Sequence, residues 1–533
     1  MVLMLFFAGP FVHAQTMHSD NGDGTYTNPV IAADFPDPDV IRVDSVYYMV
    51  STTMFTFPGV PILKSRDLVN WEFACNAVPR FDHGPCYDLQ GCNRYGHGQW
   101  ATSLKYHNGK FYLLFITLDE GGFLCTADRP EGPWQTRKLP KGFYDPGLFF
   151  DEDGKIYVAH GYNDIRITEL NTDFAPVSGD SLVYRGDIRG GLEGTHVYRI
   201  NGYYYLYCTY GGLDGFQVAL RSRSIYGPYE QHVVIRDTTH GFNYGIHQGA
   251  LIQTVTGEWW TMLFVDNGPF GRFPSLQPVT WTDGWPMVGV RGKAVVTHRK
   301  PDVGGTFPRL VLPTSDEFSS NVLGMQWSWN HNPDPGCWSL TERPGYLRLR
   351  TASVTDSLPK ARNTLTQRMF APYVDSLVTV GTVKADVGHL QEGDIGGLAV
   401  FQDPYGFIAC RRSGGVTSIV MVNNGKVIDS AVISAPVVFF RATAFHGSGA
   451  APLYGGKTVP FSGIAAFSYS LDGTTFLPLG NAVAMRFNLR VFTGNKFCVF
   501  AYAGIGKGGF MDVDWFRTSM VPCDPVAQGL TSK

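Results

Sequence analysis

A hairpin signature that recurs five times constrains the fold of this chain more than any other feature. Each copy is a strand, a polar or glycine turn and an aromatic strand, and its Asn-Gly or Asp-Gly turns supply the positive φ that tight hairpins need. The copies are residues 42–48, 106–112, 150–157, 198–205 and 254–260. A regular repeat of this kind indicates one structural unit used several times.

Each repeat has room for two more strands. After several hairpins a further turn ends on an aromatic residue, as in residues 65–71, 127–134 and 222–229. The polar residues that precede successive hairpins are 45 to 63 residues apart. Four strands at this period are typical of a propeller blade. No amphipathic helix of ten or more residues is evident, so we predict an all-β chain with a five-bladed β-propeller over residues 25–300.

The sequence changes character after the last repeat. Residues 301–315 are rich in proline and glycine and are predicted to be a linker. Short strands then alternate at close spacing from residue 316 to 517, with Asn423-Asn-Gly425 as a hairpin turn. This pattern predicts a β-sandwich domain. Residues 518–533 are expected to form a tail.

Composition and the first residues indicate the compartment and exclude some partners. With a formal net charge of −3, the chain gives no electrostatic case for nucleic acid or an anionic membrane. Residues 1–15 have an apolar core and a Val-His-Ala cleavage pattern, although a basic start is missing. This stretch is shorter than the about 20 residues of a membrane span. We therefore predict a signal peptide and an exported protein, periplasmic or extracellular.

The cysteines argue against a zinc site. There are nine of them, and none has CxxC spacing. Cys86 and Cys92 are close enough in a loop to form a disulfide, and most of the others are expected to be small buried hydrophobes.

Carboxylates stand at three of the five blade starts. The innermost strand of every blade points toward the propeller axis, so Asp37, Asp145 and Glu193 are expected to converge there. Asp37 is held between two prolines, which restrict its backbone. Asp-Pro is also a common turn dipeptide, so either aspartate taken alone suits an ordinary turn. Recurrence at the same point of each repeat favours a functional role.

Clustered carboxylates have a recognisable chemistry. They repel one another, so the pKa of at least one must rise. A carboxylic acid that stays protonated near neutral pH can donate a proton to a leaving oxygen, as glycoside cleavage requires. The second carboxylate then activates water or attacks directly, and the separation between the two distinguishes an inverting from a retaining enzyme.

Other residues are candidates for binding sugar. His247 begins the fifth blade and either packs in the core or holds a water or a metal ion on the axis. Arg272 has three alternative interpretations: it binds sugar hydroxyls, it shifts the pKa of a carboxylate, or it is an ordinary surface arginine. Aromatic rings stack on the apolar faces of sugars. The aromatic candidates near the blade ends are Phe55, Phe57, Trp100, Phe270 and Phe273.

Five motifs in order resemble glycoside hydrolase family 43, which contains five-bladed arabinofuranosidases and β-xylosidases. They are residues 28–39, 100–107, 144–150, 192–196 and 270–273. Residues 316–516 resemble the concanavalin-like sandwich that follows the propeller in one branch. The chain departs from the family pattern at Thr102 and Gln248, either of which could reshape the sugar pocket.

The resemblance implies an inverting mechanism. Asp37 corresponds to the general base and Glu193 to the general acid, while Asp145 orients the acid and tunes its pKa. His247 corresponds to the axial histidine and Arg272 to the arginine beside the substrate. We expect no cofactor and no metal in the bond cleavage, and we leave room for a structural or axial cation near His247.

The expected reaction is exo-acting release of a terminal α-L-arabinofuranosyl unit from plant hemicellulose oligosaccharides or side chains. The preference for arabinose rests on the resemblance alone, so a β-D-xylosidase or a bifunctional enzyme is the alternative. A catalytically inactive carbohydrate-binding propeller is a further alternative. It predicts the loss of at least one carboxylate, whereas Asp37, Asp145 and Glu193 are all present.

Overall fold

Five four-stranded antiparallel sheets form the first part of the computed structural model, which confirms the predicted five-bladed propeller. The structure describes residues 18–522 except 188–189, 213, 240–244, 372–376 and 453–457, and only the backbone of residues 446–452 and 458–462. The predicted signal peptide therefore lies outside the described residues. So does most of the predicted tail, but the last strand continues to Pro522, past the boundary expected at residue 517.

Each blade runs outward from an inner strand at the axis. Blade 1 comprises Asp39–Val43, Val46–Val50, Gly59–Ser65 and Trp71–Val78. Blade 2 comprises Ser103–His107, Lys110–Thr117, Gly121–Ala127 and Gln135–Lys138. Blade 3 comprises Gly147–Phe150, Ile156–His160, Asp164–Leu170 and Ser181–Arg185. Blade 4 comprises Leu192–Ile200, Tyr203–Tyr210, Phe216–Ser222 and Glu230–Ile235. Blade 5 comprises Ile246–Gln253, Trp259–Asp266, Arg272–Thr282 and Trp285–Val288.

The hairpin turns have the conformation that their sequence predicts. Asn108 and Gly109 have φ angles of 50° and 78°, and Asn201 and Gly202 have 51° and 76°. Two successive positive φ angles define the turn that matches the twist of the flanking strands. These turns fix the register of the inner hairpins in blades 2 and 4.

Two sets of contacts close the propeller. The inner strands of neighbouring blades contact each other around a complete ring. Thr25–Thr27 also pairs with Thr297–Arg299, which joins the two ends of the propeller. The Asn28 side chain strengthens this closure, since it donates to the carbonyl oxygens of Leu276 and Val295.

The C-terminal part is a β-sandwich, as predicted. In spatial order, its first sheet consists of Lys426–Ile433, Val416–Asn423, Gly406–Ser413, Asp394–Phe401, Lys496–Ala503, Leu365–Arg368, Trp327–Asn330 and Thr56–Phe57. The second consists of Trp338–Ser339, Leu347–Arg350, Phe510–Pro522, Leu377–Asp386, Val437–Pro452, Thr458–Ser470 and Leu477–Pro478, with Val483–Met485 beside Thr458–Ser470. The last strand of the first sheet belongs to a loop of blade 1, so the two domains share a sheet.

The two domains also share a hydrophobic core. One cluster of buried side chains contains Trp327 and Phe497 of the sandwich together with Phe270 and Phe273 of blade 5. The residues between the domains, 301–315, contain no strand or helix. Burial of one apolar cluster across the boundary fixes the sandwich against one face of the propeller.

The remaining elements are short. The helical segments in the described ranges are four 3₁₀ turns at Pro85–Asp88, Gly268–Phe270, Pro335–Cys337 and Leu358–Lys360. None of the described helices has the length and apolar character needed to cross a membrane. Cys86 and Cys92, whose pairing the sequence left open, form a disulfide.

A buried carboxylate on blade 1 links three blades across the axis. Asp39 is fully buried, and its Oδ2 accepts from the Leu104 backbone N–H at 2.7 Å and from Lys105 Nζ at 3.1 Å. Its Oδ1 lies 3.3 Å from His196 Nδ1 on blade 4. Burial alone would raise the pKa of Asp39, but Lys105, His196 and the Leu104 N–H hold it well below its usual value.

We expect Asp39→Asn to lower the free energy of unfolding by about 3 kcal/mol, because it removes one partner of a buried ion pair. Since the folded-state pKa is depressed, this contribution is present at neutral pH and is lost as the pH falls below about 4. Urea denaturation at pH 7 measures the effect. Asp128→Asn, which breaks the exposed pair with Lys110, is the control and should cost under about 1 kcal/mol. Equal effects of the two substitutions would contradict this role for Asp39.

Candidate active site

Polar residues meet at the mouth of the propeller because of an uncommon backbone conformation at the blade starts. Asp37, Asp145 and Gln248 have φ angles of 55°, 47° and 50°. Gly194 has 63°, next to Glu193 on blade 4. A left-handed residue costs about 1–2 kcal/mol when it is not glycine. The left-handed conformation nevertheless recurs at four blade starts, which indicates that the geometry of the site requires it.

Blades 4 and 5 reach this geometry through bulges. The pairing register shifts between Glu193 and His196 in blade 4 and between His247 and Gly249 in blade 5. Bulges re-aim side chains at barrel rims and active sites. In blades 1 and 3 a proline follows Asp37 and Asp145 instead of a bulge. Because proline has no backbone N–H, no donor is left unpaired at that position.

These side chains line a cavity of about 690 Å³, which we call the axial pocket. Its volume lies within the usual range for small-molecule sites. Residues from blades 1 to 5 and from the sandwich contribute: Asp37, Trp100, Tyr144, Asp145, Gly190, Glu193, Tyr210, Gly211, Gly212, Asp214, Phe216, Arg236, His247, Gln248, Phe264, Asp266, Arg272, Phe487, Leu489 and Phe492.

Asp37 forms a buried ion pair with Arg272. The Arg272 Nη1 donates to Asp37 Oδ1 at 2.8 Å, and both side chains are less than a tenth exposed. The Nε and Nη2 of Arg272 are buried and have no hydrogen-bond partner among the described residues. Such donors cost free energy unless a ligand satisfies them. Arg272 therefore lines the axial pocket and holds Asp37 with one nitrogen, while its other two nitrogens are buried.

Glu193 has a raised pKa, so about half of it is neutral near pH 7. Burial and the negative charge of Asp37 together raise the pKa of its carboxyl to about 7, although the Tyr144 hydroxyl and Arg272 act in the opposite direction. The Tyr144 hydroxyl donates to Glu193 Oε2 at 3.0 Å. The axial pocket thus contains a carboxyl able to give up a proton near pH 7.

Asp145 is the third carboxyl of the group. It is buried, and its Oδ2 accepts from the Gly194 backbone N–H at 3.2 Å. Burial, Glu193 and Asp37, in that order, raise its pKa well above the usual value, while the Gly194 N–H and Arg272 lower it. Asp145 is therefore hydrogen-bonded to the residue that follows Glu193, and both other carboxyls raise its pKa.

His247 lines the axial pocket. Its Nδ1 is 3.0 Å from Thr209 Oγ1, and its Nε2 is 3.6 Å from Asp266 Oδ2. Its Nε2 is buried without a hydrogen-bond partner in the described part of the chain. A structural or axial cation would need more ligands, and the described ranges contain no group of three or more His, Cys, Asp or Glu side chains suited to a metal.

A loop of the sandwich completes the wall of the pocket. Phe487, Leu489 and Phe492 line it although they belong to the second domain. The Phe492 ring centroid is 4.9 Å from that of Trp100, and the Arg272 guanidinium lies 5.3 Å from it. Aromatic contacts of this kind add stability beyond burial. The sandwich therefore shapes the site directly.

Most of the predicted site residues come together, and four aromatic ones do not. The axial pocket contains Asp37, Asp145, Glu193, His247, Arg272 and Trp100. The expectation that Phe55 and Phe57 bind substrate is corrected. Both are about 1% exposed; Phe55 packs on Tyr95 and His331, and Phe57 pairs with Trp329 in the sandwich sheet.

Phe270 and Phe273 are corrected for a similar reason, because they belong to the core shared by the two domains. Both flank Arg272, which does line the pocket. Phe273 follows Arg272 on the same strand, and side chains alternate faces along a strand, so Phe273 turns away from the pocket. Phe270 lies before the strand, in the 3₁₀ turn Gly268–Phe270.

Several pocket residues were missed. Tyr144 precedes Asp145 in the motif of residues 144–150, so its place in the sequence could have predicted a position in the pocket. Phe264 and Asp266 lie on the second strand of blade 5, which no motif marked. The sandwich residues Phe487 and Phe492 carry no signal, because nothing in the sequence shows that their loop reaches the propeller.

The chain matches two family models that divide it as the fold does. Residues 26–286 match "Glycosyl hydrolases family 43", and residues 315–519 match the "Beta xylosidase C-terminal Concanavalin A-like domain". A beta-xylosidase of Formosa agariphila is 33% identical over 93% of this chain and 90% of its own length. This chain belongs to glycosyl hydrolases family 43. It is a glycoside hydrolase, as the sequence resemblance implied.

Two further proteins show the range of this family-43 group. The non-reducing end alpha-L-arabinofuranosidase BoGH43B of Bacteroides ovatus is 32% identical over 77% of this chain and 81% of its own length. A solved structure of a bifunctional GH43-CE protein of Bacteroides eggerthii has a TM-score of 0.82 and 37% identity, covering 92% of this chain. The match spans 63% of that structure's chain, so that protein is considerably longer.

The electrostatics of this family-43 site give a direct test. We expect the Glu193 carboxyl to titrate near pH 7, and Asp37→Asn to lower its pKa because the substitution removes a nearby negative charge. Carbon-13 NMR of carboxyl-labelled glutamate follows the titration, with Glu193→Gln assigning the signal.

Asp214→Asn is the matched control, since Asp214 lines the pocket but is not among the groups that shift Glu193. A Glu193 signal that titrates near its ordinary pKa of about 4.3 would contradict the account of the site.

Proposed function

We propose that this family-43 hydrolase is an inverting, exo-acting enzyme that releases single terminal pentose units from oligosaccharides or side chains of the xylan and arabinan type. One observation carries the proposal. The axial pocket holds two carboxyls in opposite electrostatic settings, Glu193 with a pKa raised to about 7 and Asp37 paired with a guanidinium. Two carboxyls in such different environments can act as the acid and the base of one reaction.

In the proposed reaction, a water molecule attacks the anomeric carbon while Asp37 accepts one of its protons. The bond between the anomeric carbon and the glycosidic oxygen breaks, and its electron pair stays on that oxygen. Glu193 donates the proton that the oxygen needs to leave as a hydroxyl. Asp145 orients Glu193 through the Gly194 N–H and lies close enough to influence its charge. We expect this reaction to need neither a metal nor a cofactor.

The walls of the pocket support release of one terminal sugar. Phe487 and Phe492 close the side formed by the sandwich, and Trp100 packs against Phe492. Rings in this position suit the apolar face of a sugar, while Arg272 and Asp37, which also line the pocket, suit its hydroxyls. A cavity closed by a second domain accommodates a chain end better than the middle of a polymer.

The identity of the pentose is the finer part of the proposal. The Formosa agariphila relative, which matches the larger share of this chain, carries the name beta-xylosidase, so we place β-D-xylosyl first. The arabinofuranosyl unit expected from the sequence becomes the second candidate, supported by the name of the Bacteroides ovatus relative. Both sugars present similar hydroxyl patterns to Arg272, which makes dual activity compatible with one pocket.

We expect Asp37→Asn and Glu193→Gln each to reduce turnover by about 10²–10⁴-fold or more, since each removes a general acid or base. Asp145→Asn should retain part of the activity. In the unsubstituted enzyme, kcat/KM should fall as the pH rises above about 7, because the neutral form of Glu193 is then lost. Nitrophenyl β-D-xylopyranoside and α-L-arabinofuranoside, assayed side by side, report both activity and preference.

Asp214→Asn serves as a control for a charge change elsewhere in the pocket and should leave the shape of the pH profile unchanged. Activity near that of the unsubstituted enzyme in Asp37→Asn or Glu193→Gln would refute the assignment. A clear arabinofuranoside preference would reverse the order of the two sugars, and internal cleavage of a polymer would overturn the exo-acting mode.

A further inference from the structure

We propose that Tyr144 is a positioning residue that occupies one oxygen of Glu193 and so directs the catalytic proton to the other oxygen, Oε1, above Gly211. This inference rests on the proposed role of Glu193 as the general acid. It adds a residue to which the sequence motifs gave no role, and it assigns different tasks to the two oxygens of the acid.

The first observation concerns Oε2. The Tyr144 hydroxyl lies 3.0 Å from Glu193 Oε2, within hydrogen-bond distance. Burial, Asp145 and Glu193 raise the pKa of Tyr144, so the hydroxyl keeps its proton and acts as a donor. When Glu193 is protonated on Oε1, Oε2 is the carbonyl-type oxygen that accepts such a bond. When Oε1 has lost its proton, the same bond stabilises the carboxylate.

The second observation concerns Oε1. A Cβ atom placed on Gly211 would come within 2.4 Å of Glu193 Oε1, so this oxygen lies directly over a position without a side chain. Gly211 and Gly212 both line the axial pocket. The Gly211 backbone N–H donates to the Gly191 carbonyl at 2.8 Å, which holds the loop in place. No side chain at position 211 therefore covers Oε1, which leaves it as the oxygen available to a leaving group in the pocket.

Contacts with neighbouring rings and backbone hold Tyr144 in place, so that it can position Glu193. Its ring centroid lies 6.0 Å from that of Trp100 and 6.2 Å from that of Tyr162. Its backbone carbonyl accepts from the Gly161 N–H at 3.0 Å. Asp145 follows in the left-handed conformation, so the chain direction at Tyr144 is fixed.

The consequence for pH dependence has a definite sign. The Tyr144 hydroxyl lowers the pKa of Glu193, against burial and against Asp37. The charged groups that influence Glu193 or are coupled to it are Asp37, Asp145 and Arg272, and none of them changes in a tyrosine-to-phenylalanine exchange. Removal of the hydroxyl therefore moves the alkaline limb of the pH profile upward.

The experiment compares Tyr144→Phe with the unsubstituted enzyme on two substrates: a pentose disaccharide and a dinitrophenyl pentoside whose leaving group needs little protonation. We expect about a 10-fold loss of kcat/KM on the disaccharide, part of the 10²–10⁴-fold that a general acid supplies, and a much smaller loss on the dinitrophenyl substrate. The alkaline limb should shift upward. Tyr162→Phe, at a half-exposed neighbouring ring outside the pocket, is the control and should change neither quantity.

A second variant tests Oε1 without touching Tyr144. Gly211→Ala places a methyl group against Glu193 Oε1, and the backbone of Gly211 is not in the left-handed region. We expect a selective loss on the disaccharide at an unchanged melting temperature. Gly179→Ala, at a glycine with open space around it, is the matched control.

The outcomes separate this inference from the proposed function. If Glu193→Gln loses disaccharide turnover but Tyr144→Phe keeps the original alkaline limb and loses activity equally on both substrates, only the role of Tyr144 is overturned. If Gly211→Ala behaves like Gly179→Ala, the assignment of the proton to Oε1 is overturned. If Glu193→Gln retains turnover of the disaccharide, both the acid role and the inference fail.

Discussion

The active site depends on one buried carboxylate, Asp34, that joins the propeller to the sandwich. Its Oδ1 accepts from the Arg272 backbone N–H at 2.9 Å, and its Oδ2 accepts from the Gly494 N–H at 2.7 Å. A Cβ atom on Gly271 would come within 2.2 Å of Asp34 Oδ1, so this close approach requires a glycine. Lys496 lies 3.7 Å from the same carboxylate and balances its charge.

This linkage explains how two domains build one pocket. The backbone of Arg272 is fixed by Asp34, and its side chain in turn pairs with Asp37. The Gly494 end of the same linkage anchors the loop that brings Phe492 against Trp100. The general base, the arginine beside it and the aromatic wall therefore share one support, and the sandwich is part of the active site.

The proposed acid and base are both carboxyls, and their different neighbours give them different roles. Asp37, which is buried, and Glu193, which is partly buried, are carboxyls of the same cavity, but a guanidinium pairs with the first and a phenol donates to the second. Burial without a cationic partner raises the pKa of Glu193, whereas a buried ion pair is tolerated because its charges compensate. The fold assigns opposite roles to the two side chains through their neighbours.

The sequence predicts the features that repeat and misses those that arise between distant segments. The five hairpins predict the propeller, and the register of the blade starts predicts that Asp37, Asp145 and Glu193 converge, because both follow from local patterns. Phe57 was misjudged because its partner strand, Trp327–Asn330, lies in the other domain. The contribution of Phe492 was missed for the same reason, since only the folded structure shows which loop meets the pocket.

The stereochemistry of the product tests the central claim, that Glu193 acts as the acid and Asp37 as the base of a single displacement by water. Proton NMR during the first minutes of hydrolysis of a β-D-xyloside or an α-L-arabinofuranoside resolves the anomer that is released before mutarotation. The account predicts inversion, with α-xylose from a β-xyloside and β-arabinofuranose from an α-arabinofuranoside. Initial release of the anomer with retained configuration would contradict it.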